Sequence, residues 1–424
     1  MTGDTQFTRR TLLGSGAGAA TALLLGTPHV WAQRAPERQT ATFPGWTAPE
    51  NFGAVGDGVA DDTDAVRRAL HSGFGVALVG TYRLTEPIVF GTGFTEQPSM
   101  LQGLGRDHFI VDHAEGDALH FDCGEIGIST GNALTARDFG LLSGVAGTPH
   151  GALTVTASGG TGSVYRTFDI TNVHTSATDQ DRGFRTGIRL VNQRHGVVRG
   201  CIHNGVRNVV PGERQGSAIA AEGDGESHPV DFTIENCQAY FAGCGVHLIG
   251  THEGITIDKH SAVGCDEGVL VEADEHPLDG GNAGKPLFWI TNGHFQTFRT
   301  GMRLMRARDF IVTGNDLLVE QPNTSWTGLI AEVGDAASQY GWIDGNKFQD
   351  ASRVGNSDGT TTGIMLNGAA DGVLDTRIGV NRYVNLSVGM HLEENARRVF
   401  YADASLYAAV ATPIVDQGSG NASY

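Results

Sequence analysis

The sequence predicts an all-β fold, a single-stranded right-handed parallel β-helix whose short strands stack as successive coils behind a short N-terminal capping helix. Two observations lead to this prediction. Glycine accounts for 61 of 424 residues and proline for only 13, a composition that suits many tight turns. A short phrase of glycine followed by apolar, variable and apolar residues also recurs along the chain, and such self-similarity indicates a repeat architecture.

The glycine phrase gives the length of one coil. Its copies are separated by 23 to 35 residues, apart from one gap of 58 residues that holds a degenerate copy at Ala218. They begin at Gly187, Gly245, Gly268, Gly301, Gly328, Gly363 and Gly389. Side chains alternate along a strand, so the apolar residues after these glycines are expected to stack as one buried column. β-Propeller blades are longer than this spacing, and β-sandwiches do not repeat a phrase.

A second phrase marks the turn between two strands of a coil. It reads Ile343-Asp344-Gly345-Asn346, and Asn315 and Asn381 occupy the same slot in the neighbouring copies. Asparagine and glycine tolerate the left-handed backbone that a sharp turn requires. Cys201 and Cys237 fill this slot on adjacent coils, which predicts either stacked thiols or a disulfide.

The N-terminus predicts export. Arg9-Arg10 precede an apolar, small-residue stretch and a cleavage-type sequence at Val30-Trp31-Ala32, a pattern typical of a twin-arginine signal peptide. Residues 1–32 are therefore expected to direct the protein to the periplasm or outside the cell, with residues 33–48 as a linker. The net charge of −18 argues against nucleic-acid binding, and no apolar run in the mature chain is long enough for a membrane span.

The segment from Asn51 to Val66 is the most specific sequence motif in the chain. It contains Asp57-Gly58 and Asp61-Asp62 ahead of an apolar helix face, and Gly80-Thr81-Tyr82-Arg83-Leu84 follows. This text resembles the entry motif of the pectate-lyase-like right-handed β-helix superfamily, which includes polygalacturonase-like hydrolases, β-helical glucanases and phage tailspikes. The resemblance implies a cap and first coils over 49–110, further coils and the C-terminal end over 111–424, and a homotrimer as one option. The superfamily's active-site strings do not occur in this chain.

We expect the catalytic groups on one outward strip of the solenoid. Period-2 alternation points the second and fourth residues after each glycine away from the core. Those positions give Glu222, His247, Glu272, Arg303 and Glu332 on five consecutive coils, with Arg189 before them. Glutamates two coils apart are ~9–10 Å apart at the backbone, near the ~6.5–9.5 Å separation of the carboxyl groups in inverting glycosidases. Glu272, Glu222, Glu332 and His247 are thus the predicted catalytic residues, with Arg303 and Arg189 binding substrate.

The acidic loop after Glu272 supplies further candidates. Asp274, Glu275 and His276 are predicted to contact substrate, and Trp289 is predicted to offer a stacking surface for a sugar. Asp274 and Glu275 with Asp279 form an alternative calcium site, because hard cations prefer oxygen ligands. No other metal or cofactor is predicted.

These features predict an exported carbohydrate-active enzyme that cleaves a polysaccharide. Paired carboxylates favour a glycoside hydrolase. A polysaccharide lyase is the second enzyme hypothesis, because His247 and Arg303 would supply a base and a cation. The third is a non-catalytic protein that binds or attaches to polysaccharide, and solenoids offer extended surfaces that suit a polymer in each case.

Overall fold

Three faces of stacked parallel strands form the protein, as seen in a computed structural model. The structure describes residues 44–91, 99–105, 107–125, 131–146, 150–158, 166–223, 229–250, 252–273, 287–307, 309–321, 325–332, 338–350, 360–367 and 373–424. Each coil passes through face 1, face 2 and face 3 in that order, and the strands pair in parallel with those of the neighbouring coils. The predicted solenoid is confirmed.

Face 1 is one sheet, whereas faces 2 and 3 form a single larger sheet because two long strands run through both. Face 1 contains Trp46–Thr47, Gly75–Leu78, Ser99–Gly103, Gly131–Arg137, Arg166–Thr171, Arg194–Arg199, Val230–Glu235, Ile255–Asp258, Leu287–Thr291, Asp309–Thr313, Ser338–Asp344, Val373–Ile378, Phe400–Tyr401 and Ala422–Ser423. Face 2 contains Asp57–Asp61, Thr81–Leu84, Phe109–Val111, Gly140–Ser143, His174–Ala177, Ile202–Asn204, Gln238–Tyr240, Asp316–Val319, Lys347–Gln349, Arg382–Val384 and Leu406–Ala408. Face 3 contains Ile88–Phe90, Leu119–Glu125, Gly151–Ser158, Thr186–Val191, Ser217–Glu222, Cys244–Ile249, Trp326–Glu332, Thr361–Asn367, Val388–Leu392 and Thr412–Asp416. The two strands shared by faces 2 and 3 are Ser261–Glu272 and His294–Met305.

The predicted apolar column runs through the middle of face 3. Ile188 pairs in register with Ile219, which pairs with Val246, and the row continues through Val269 and Met302. It then passes through Leu329, Ile364 and Met390. Every member of the column is buried. The glycine phrase therefore fixes both the coil length and the inward face, as expected from its alternation.

Asparagines stack at the turn between faces 1 and 2. The Nδ2 of Asn315 donates to Oδ1 of Asn346 at 2.9 Å, and the Nδ2 of Asn346 donates to Oδ1 of Asn381 at 3.1 Å. Their side chains also bond to the backbone of the turns, and all three residues are buried. The residue before Asn315 or Asn346 is a glycine with positive φ, 69° at Gly314 and 67° at Gly345. The second phrase thus encodes an internal ladder of side-chain amides.

Removal of the central amide of this ladder should destabilise the fold. Asn346→Ala leaves the backbone N–H of Asn315 and the carbonyl of Val312 without their present partners. The expected loss in the free energy of unfolding is about 2–4 kcal/mol, because buried polar groups lose bonds they cannot replace with water. Chemical denaturation measures it. Asn51→Ala is the matched control, since its amide bonds to Thr47 at an exposed site; equal losses in the two variants would contradict a structural role for the ladder.

A short helix, Thr63–Leu70, lies at the N-terminal end, preceded by a 3-10 helix, Pro49–Phe52. The predicted apolar face of the longer helix is confirmed, with Val66 and Ala69 fully buried. Asp61 and Asp62 are the two candidate capping residues of this helix, and the carboxylate of Asp61 accepts the backbone N–H of Thr63, the first helical residue, at 3.1 Å. Asp62 occupies the N-cap position but its carboxylate accepts the N–H groups of Val55 and Gly56 instead, at 2.7 and 3.0 Å. It therefore fastens the preceding loop rather than the helix terminus.

Three further predictions can be compared with the structure. All five cysteines are buried and unbridged, so Cys201 and Cys237 are neighbouring thiols. The expected boundary between residues 110 and 111 falls inside the strand Phe109–Val111. In the described part of the chain, no helix has both the length and the apolar character needed to cross a bilayer. The predicted signal peptide, residues 1–32, lies outside the described residues.

Candidate active site

A groove of about 690 Å³ lies on face 3, within the size range of ligand sites. Its floor is built from residues that are aligned across neighbouring coils. One register row contributes Thr186, Ser217, Cys244 and Glu267. A second row contributes Arg189, Ala220, His247 and Leu270. The groove therefore crosses these four strands, and the register between coils places the side chains of the two rows.

Ion pairs of one geometry repeat every second coil. In each pair, a cationic residue of the second row contacts a glutamate on the next coil, two positions further along its strand. The guanidinium of Arg189 donates to both carboxylate oxygens of Glu222, at 2.8 and 2.6 Å. Arg303 Nη2 lies 3.4 Å from Oε1 of Glu332. The predicted alignment of the glutamates is thus present, but two of the three carboxylates are held by arginines.

The middle pair differs because its cationic partner is a histidine. His247 Nε2 lies 2.7 Å from Oε2 of Glu272. A neutral ring that donates Nε2–H to this carboxylate leaves Nδ1 as its proton acceptor. The imidazole side chain is 20% exposed and the carboxylate side chain 41%. His247 lines the groove, so this pair can take up a proton there.

Glu267 is the buried acid of the groove. The residue is 8% exposed, and its Oε2 has no hydrogen-bond partner among the described residues. Burial raises the pKa of this carboxyl, while Arg303, Arg299 and His247 oppose the rise. A carboxyl with a raised pKa in a cleft is suited to donate a proton near neutral pH.

An irregular stretch of strand places Glu267 beside a second buried acid. The register between Ser261–Glu272 and the following coil shifts between Val263 and Cys265 and again between Cys265 and Glu267. Gly264 has φ of 66° at this point. Bulges of this kind re-aim side chains and are common beside active sites. Asp266 and Glu267 are consecutive in the chain, yet both are buried and both line the groove.

Arginines outnumber acids along the groove, in a protein whose net charge is −18. The lining includes Arg185 and Arg299, both exposed. Within the described part of the chain, neither guanidinium forms a salt bridge with a carboxylate. The acids Glu222 and Asp266 are already paired, with Arg189 and Arg214. Arg185 and Arg299 therefore add positive charge to the groove that no salt bridge to a described carboxylate neutralises.

The structure brings part of the predicted set together. Arg189, Glu222 and His247 line the groove, and Glu272 joins them through its bond to His247. Arg303 lies on the following coil, close enough to Glu267 to influence its pKa, and contacts Glu332 on the coil after that. Asp274, Glu275 and His276, and with them the alternative calcium site, lie outside the described residues.

Trp289 does not lie where the sugar-stacking hypothesis requires. It belongs to the face 1 strand Leu287–Thr291, where it pairs with Thr256 and Ile311. The groove is on face 3, so this expectation is corrected: by Leu287 the chain has already passed the corner and begun the next coil. The other tryptophan near the repeat, Trp326, is buried and donates Nε1–H to Thr297 at 3.0 Å.

Sequence reasoning missed the residues at the corner between faces 2 and 3. These are Arg185, Arg214, Asp266, Glu267 and Arg299. They precede the regular part of each glycine phrase, where alternation does not say which way a side chain points. The available signal was the acidic pair Asp266-Glu267 directly before Gly268, at a place where other copies carry neutral or basic residues.

Within the described ranges, no group of three or more histidine, cysteine, aspartate or glutamate side chains is arranged to hold a metal ion. Cys244 also lines the groove, and burial raises the pKa of its thiol well above the ordinary value. Such a thiol is a poor nucleophile, which leaves the carboxylates, His247 and the arginines as the reactive groups.

No protein-family model matches the chain, whereas several solved structures resemble it. The A-module of a mannuronan C-5 epimerase from Azotobacter vinelandii has a TM-score of 0.59 at 16% identity, over 89% of this chain and 99% of that one. The Dettilon tailspike protein has a TM-score of 0.60 at 15% identity, over 86% and 68%. The catalytic domain of a GH87 α-1,3-glucanase in complex with nigerose has a TM-score of 0.55 at 11% identity, over 91% and 69%. The fold of this chain is therefore the right-handed parallel β-helix that these proteins share.

Proposed function

We propose that the protein is a carbohydrate-active enzyme that cleaves an acidic polysaccharide in the groove on face 3. The observation that carries the proposal is the placement of Glu267, a buried carboxyl with a raised pKa, close to the His247–Glu272 pair. Arg185 and Arg299 line the same groove and form no salt bridge with a carboxylate of the described chain. A general acid and a general base thus lie on adjacent coils. The similarity in fold to an epimerase, a tailspike and a glucanase supports a carbohydrate substrate.

The arginines favour β-elimination over hydrolysis. Removal of the proton next to a uronate carboxylate builds negative charge on that group, and Arg185 and Arg299 have no carboxylate partner within the described chain that would prevent them from neutralising it. Fixed positive charge at a site of developing negative charge lowers the barrier. The two outer glutamates that would serve a hydrolase are engaged by Arg189 and Arg303.

The elimination assigns one role to each group. The His247 ring, oriented by Glu272, removes the proton on the carbon that bears the carboxylate. The electron pair of that C–H bond forms a carbon–carbon double bond, and the adjacent bond to the glycosidic oxygen breaks. Glu267 gives its proton to that leaving oxygen. No water is consumed, and the products are one unsaturated sugar end and one new hydroxyl.

Hydrolysis is the second candidate, and one observation favours it. Glu272 is a partly exposed carboxylate on the same strand as Glu267, whose pKa is raised by burial, so candidates for the acid and for the base that activates water are both present. In this reading, His247 orients Glu272 instead of acting as the base.

A panel of acidic and neutral polysaccharides separates these possibilities. Reducing ends together with ultraviolet absorbance of unsaturated products indicate elimination, and reducing ends alone indicate hydrolysis. We expect elimination, on uronate polymers in preference to neutral glucans. Binding without either signal would identify a non-catalytic polysaccharide-binding protein and would contradict the proposal. Because residues 1–32 are predicted to be an export signal, we place the reaction in the periplasm or outside the cell.

A further inference from the structure

A long loop crosses the corner beside the groove. Residues Gly205–Gly216, termed the strap, connect the face 2 strand Ile202–Asn204 to the face 3 strand Ser217–Glu222. The equivalent connection on the next coil, between Tyr240 and Cys244, contains only residues 241–243. The strap is therefore long enough to pass over the following coil instead of turning directly into its own strand.

The strap is fastened two coils away by Asp266. One carboxylate oxygen accepts the backbone N–H of Gly212 at 2.8 Å, and the other accepts the N–H of Arg214 at 3.0 Å. The guanidinium of Arg214 also contacts this carboxylate, with Nη1 3.3 Å from Oδ1. The side chain of Asp266 thus bonds to two backbone N–H groups of the strap and to the guanidinium of Arg214. Replacement by a neutral residue removes the charge that all three donors face.

The ion pair between Arg214 and Asp266 is deeply buried. The two side chains are 5% and 4% exposed, and the Nε of Arg214 has no partner within the described residues. The guanidinium lies over the ring of Phe298, 4.8 Å from its centroid, on the coil after Asp266. Such a stack adds to the fixed orientation of the charge. The guanidinium is therefore held by two coils at the groove wall.

We propose that Asp266 is a positioning residue that fixes Arg214 in the groove wall, where Arg214 adds to the binding of the substrate's anionic group by Arg185 and Arg299. The inference deepens the proposed function and rests on it for the identity of the ligand. Arg214 and Arg299 both line the groove, and the strap passes the side chain of Arg299 at Gly212. The two consecutive acids of the irregular strand then have different roles. Asp266 holds the strap, and Glu267 protonates the leaving glycosidic oxygen.

The test combines amide exchange with substrate affinity. Asp266→Asn is compared with Asp258→Asn, a matched control on face 1 whose carboxylate accepts bonds from Thr291 and Asn292. Hydrogen exchange followed by mass spectrometry reads the strap peptide containing Gly212 and Arg214. Calorimetry measures the Kd of oligogalacturonate and alginate hexasaccharides, and steady-state kinetics separates KM from kcat on the cleaved polymer. Circular dichroism verifies that each variant is folded.

In Asp266→Asn we expect faster exchange in the strap and a Kd and KM raised by about ten- to a hundredfold, the effect of losing one charge-assisted contact. The kcat should fall less than the affinity, within about tenfold, because Arg185 and Arg299 still neutralise the charge that develops on the anionic group. Arg214→Gln should reproduce the loss of affinity, and Asp258→Asn should change neither readout. If Asp266→Asn unfolds, Arg214→Gln alone decides whether the guanidinium binds substrate.

Four outcomes would overturn the inference in whole or in part. An unchanged strap in Asp266→Asn shows that Asp266 does not hold it. A more mobile strap with unchanged Kd shows that the strap has a structural role only, and so does wild-type affinity in Arg214→Gln. Failure of the proposed function gives a different pattern. If the wild-type protein binds a hexasaccharide without cleaving it, the catalytic assignment is wrong. Hydrogen exchange in the strap and the Kd of the hexasaccharide then still decide the role of Asp266. Wild-type protein that binds neither hexasaccharide overturns the anion-binding part.

Discussion

Replacement of Glu267 by glutamine is expected to lower kcat by about 10²–10⁴-fold, the contribution of a positioned general acid. Glutamine keeps the size of the side chain but cannot give up a proton to the leaving oxygen. The same substitution removes a group whose ionisation is opposed by burial. Turnover on the cleaved polysaccharide and thermal melting therefore move in opposite directions in this variant at neutral pH.

The melting effect has a defined pH dependence. Below about 4.5, the ordinary pKa of glutamate, the carboxyl is protonated in both the folded and the unfolded chain, so wild type carries no penalty. As the pH rises through the elevated pKa of the folded state, the buried carboxylate ionises and the folded state loses stability relative to the unfolded state. Tm of Glu267→Gln should thus match wild type near about pH 4 and exceed it near about pH 8.

Glu235→Gln is the control for both readouts, because Glu235 pairs with Arg199 on face 1, away from the groove. Near-wild-type turnover of Glu267→Gln would remove the acid assignment. A Tm difference that does not change with pH would show that Glu267 does not resist ionisation.

The second large effect is expected at the His247–Glu272 pair. His247→Gln should lower kcat by about 10²–10⁴-fold, and Glu272→Gln by a smaller but comparable factor, since each removes part of one base. Groups that act as a unit give non-additive losses. The double variant should therefore be no slower than the slower single variant. Steady-state kinetics on the same polymer tests this, with protein folding verified by thermal melting.

Glu222→Gln and Glu332→Gln serve as controls on the same register row. Their carboxylates are held by Arg189 and Arg303, so we expect kcat to stay within about tenfold of wild type. A loss at Glu222 equal to that at Glu272 would reverse the preference for elimination. It would support the pair of carboxylates that the sequence alone predicts for an inverting hydrolase.

The regular part of each coil could be predicted from sequence because strand alternation and the repeat together determine direction. Ile188 and Val246 fall in one column, and Glu222 and Glu272 fall on one row two coils apart, as expected. The same argument predicts which residues of the strip face outward. It does not predict their ion-pair partners, since an outward side chain can contact the residue on the preceding coil or the residue on the following coil. Glu272 contacts His247, whereas Arg303 contacts Glu332.

The corner between faces 2 and 3 could not be predicted in this way. At Gly264 a left-handed residue and two register shifts break the alternation, and no rule of period two places Asp266 or Glu267 after such a break. The position of Arg214 is even harder to predict from the sequence, because this residue reaches the groove from a loop that belongs to an earlier coil. Its position depends on the buried carboxylate of Asp266, a contact between residues 52 positions apart.

The strap also affects the order in which the coils of the solenoid are expected to unfold. Coils otherwise pair with their immediate neighbours, and in such linear arrays stability is a sum of coil and interface contributions, so unfolding can begin at either end. The groove draws on successive coils from Gly151–Ser158 to His294–Met305, and the strap links two coils that are not adjacent. Terminal coils that follow His294–Met305 can therefore separate while the groove stays whole. On heating, activity should be lost only when the central coils that the strap links unfold. Earlier unfolding of the terminal coils should leave the activity unchanged.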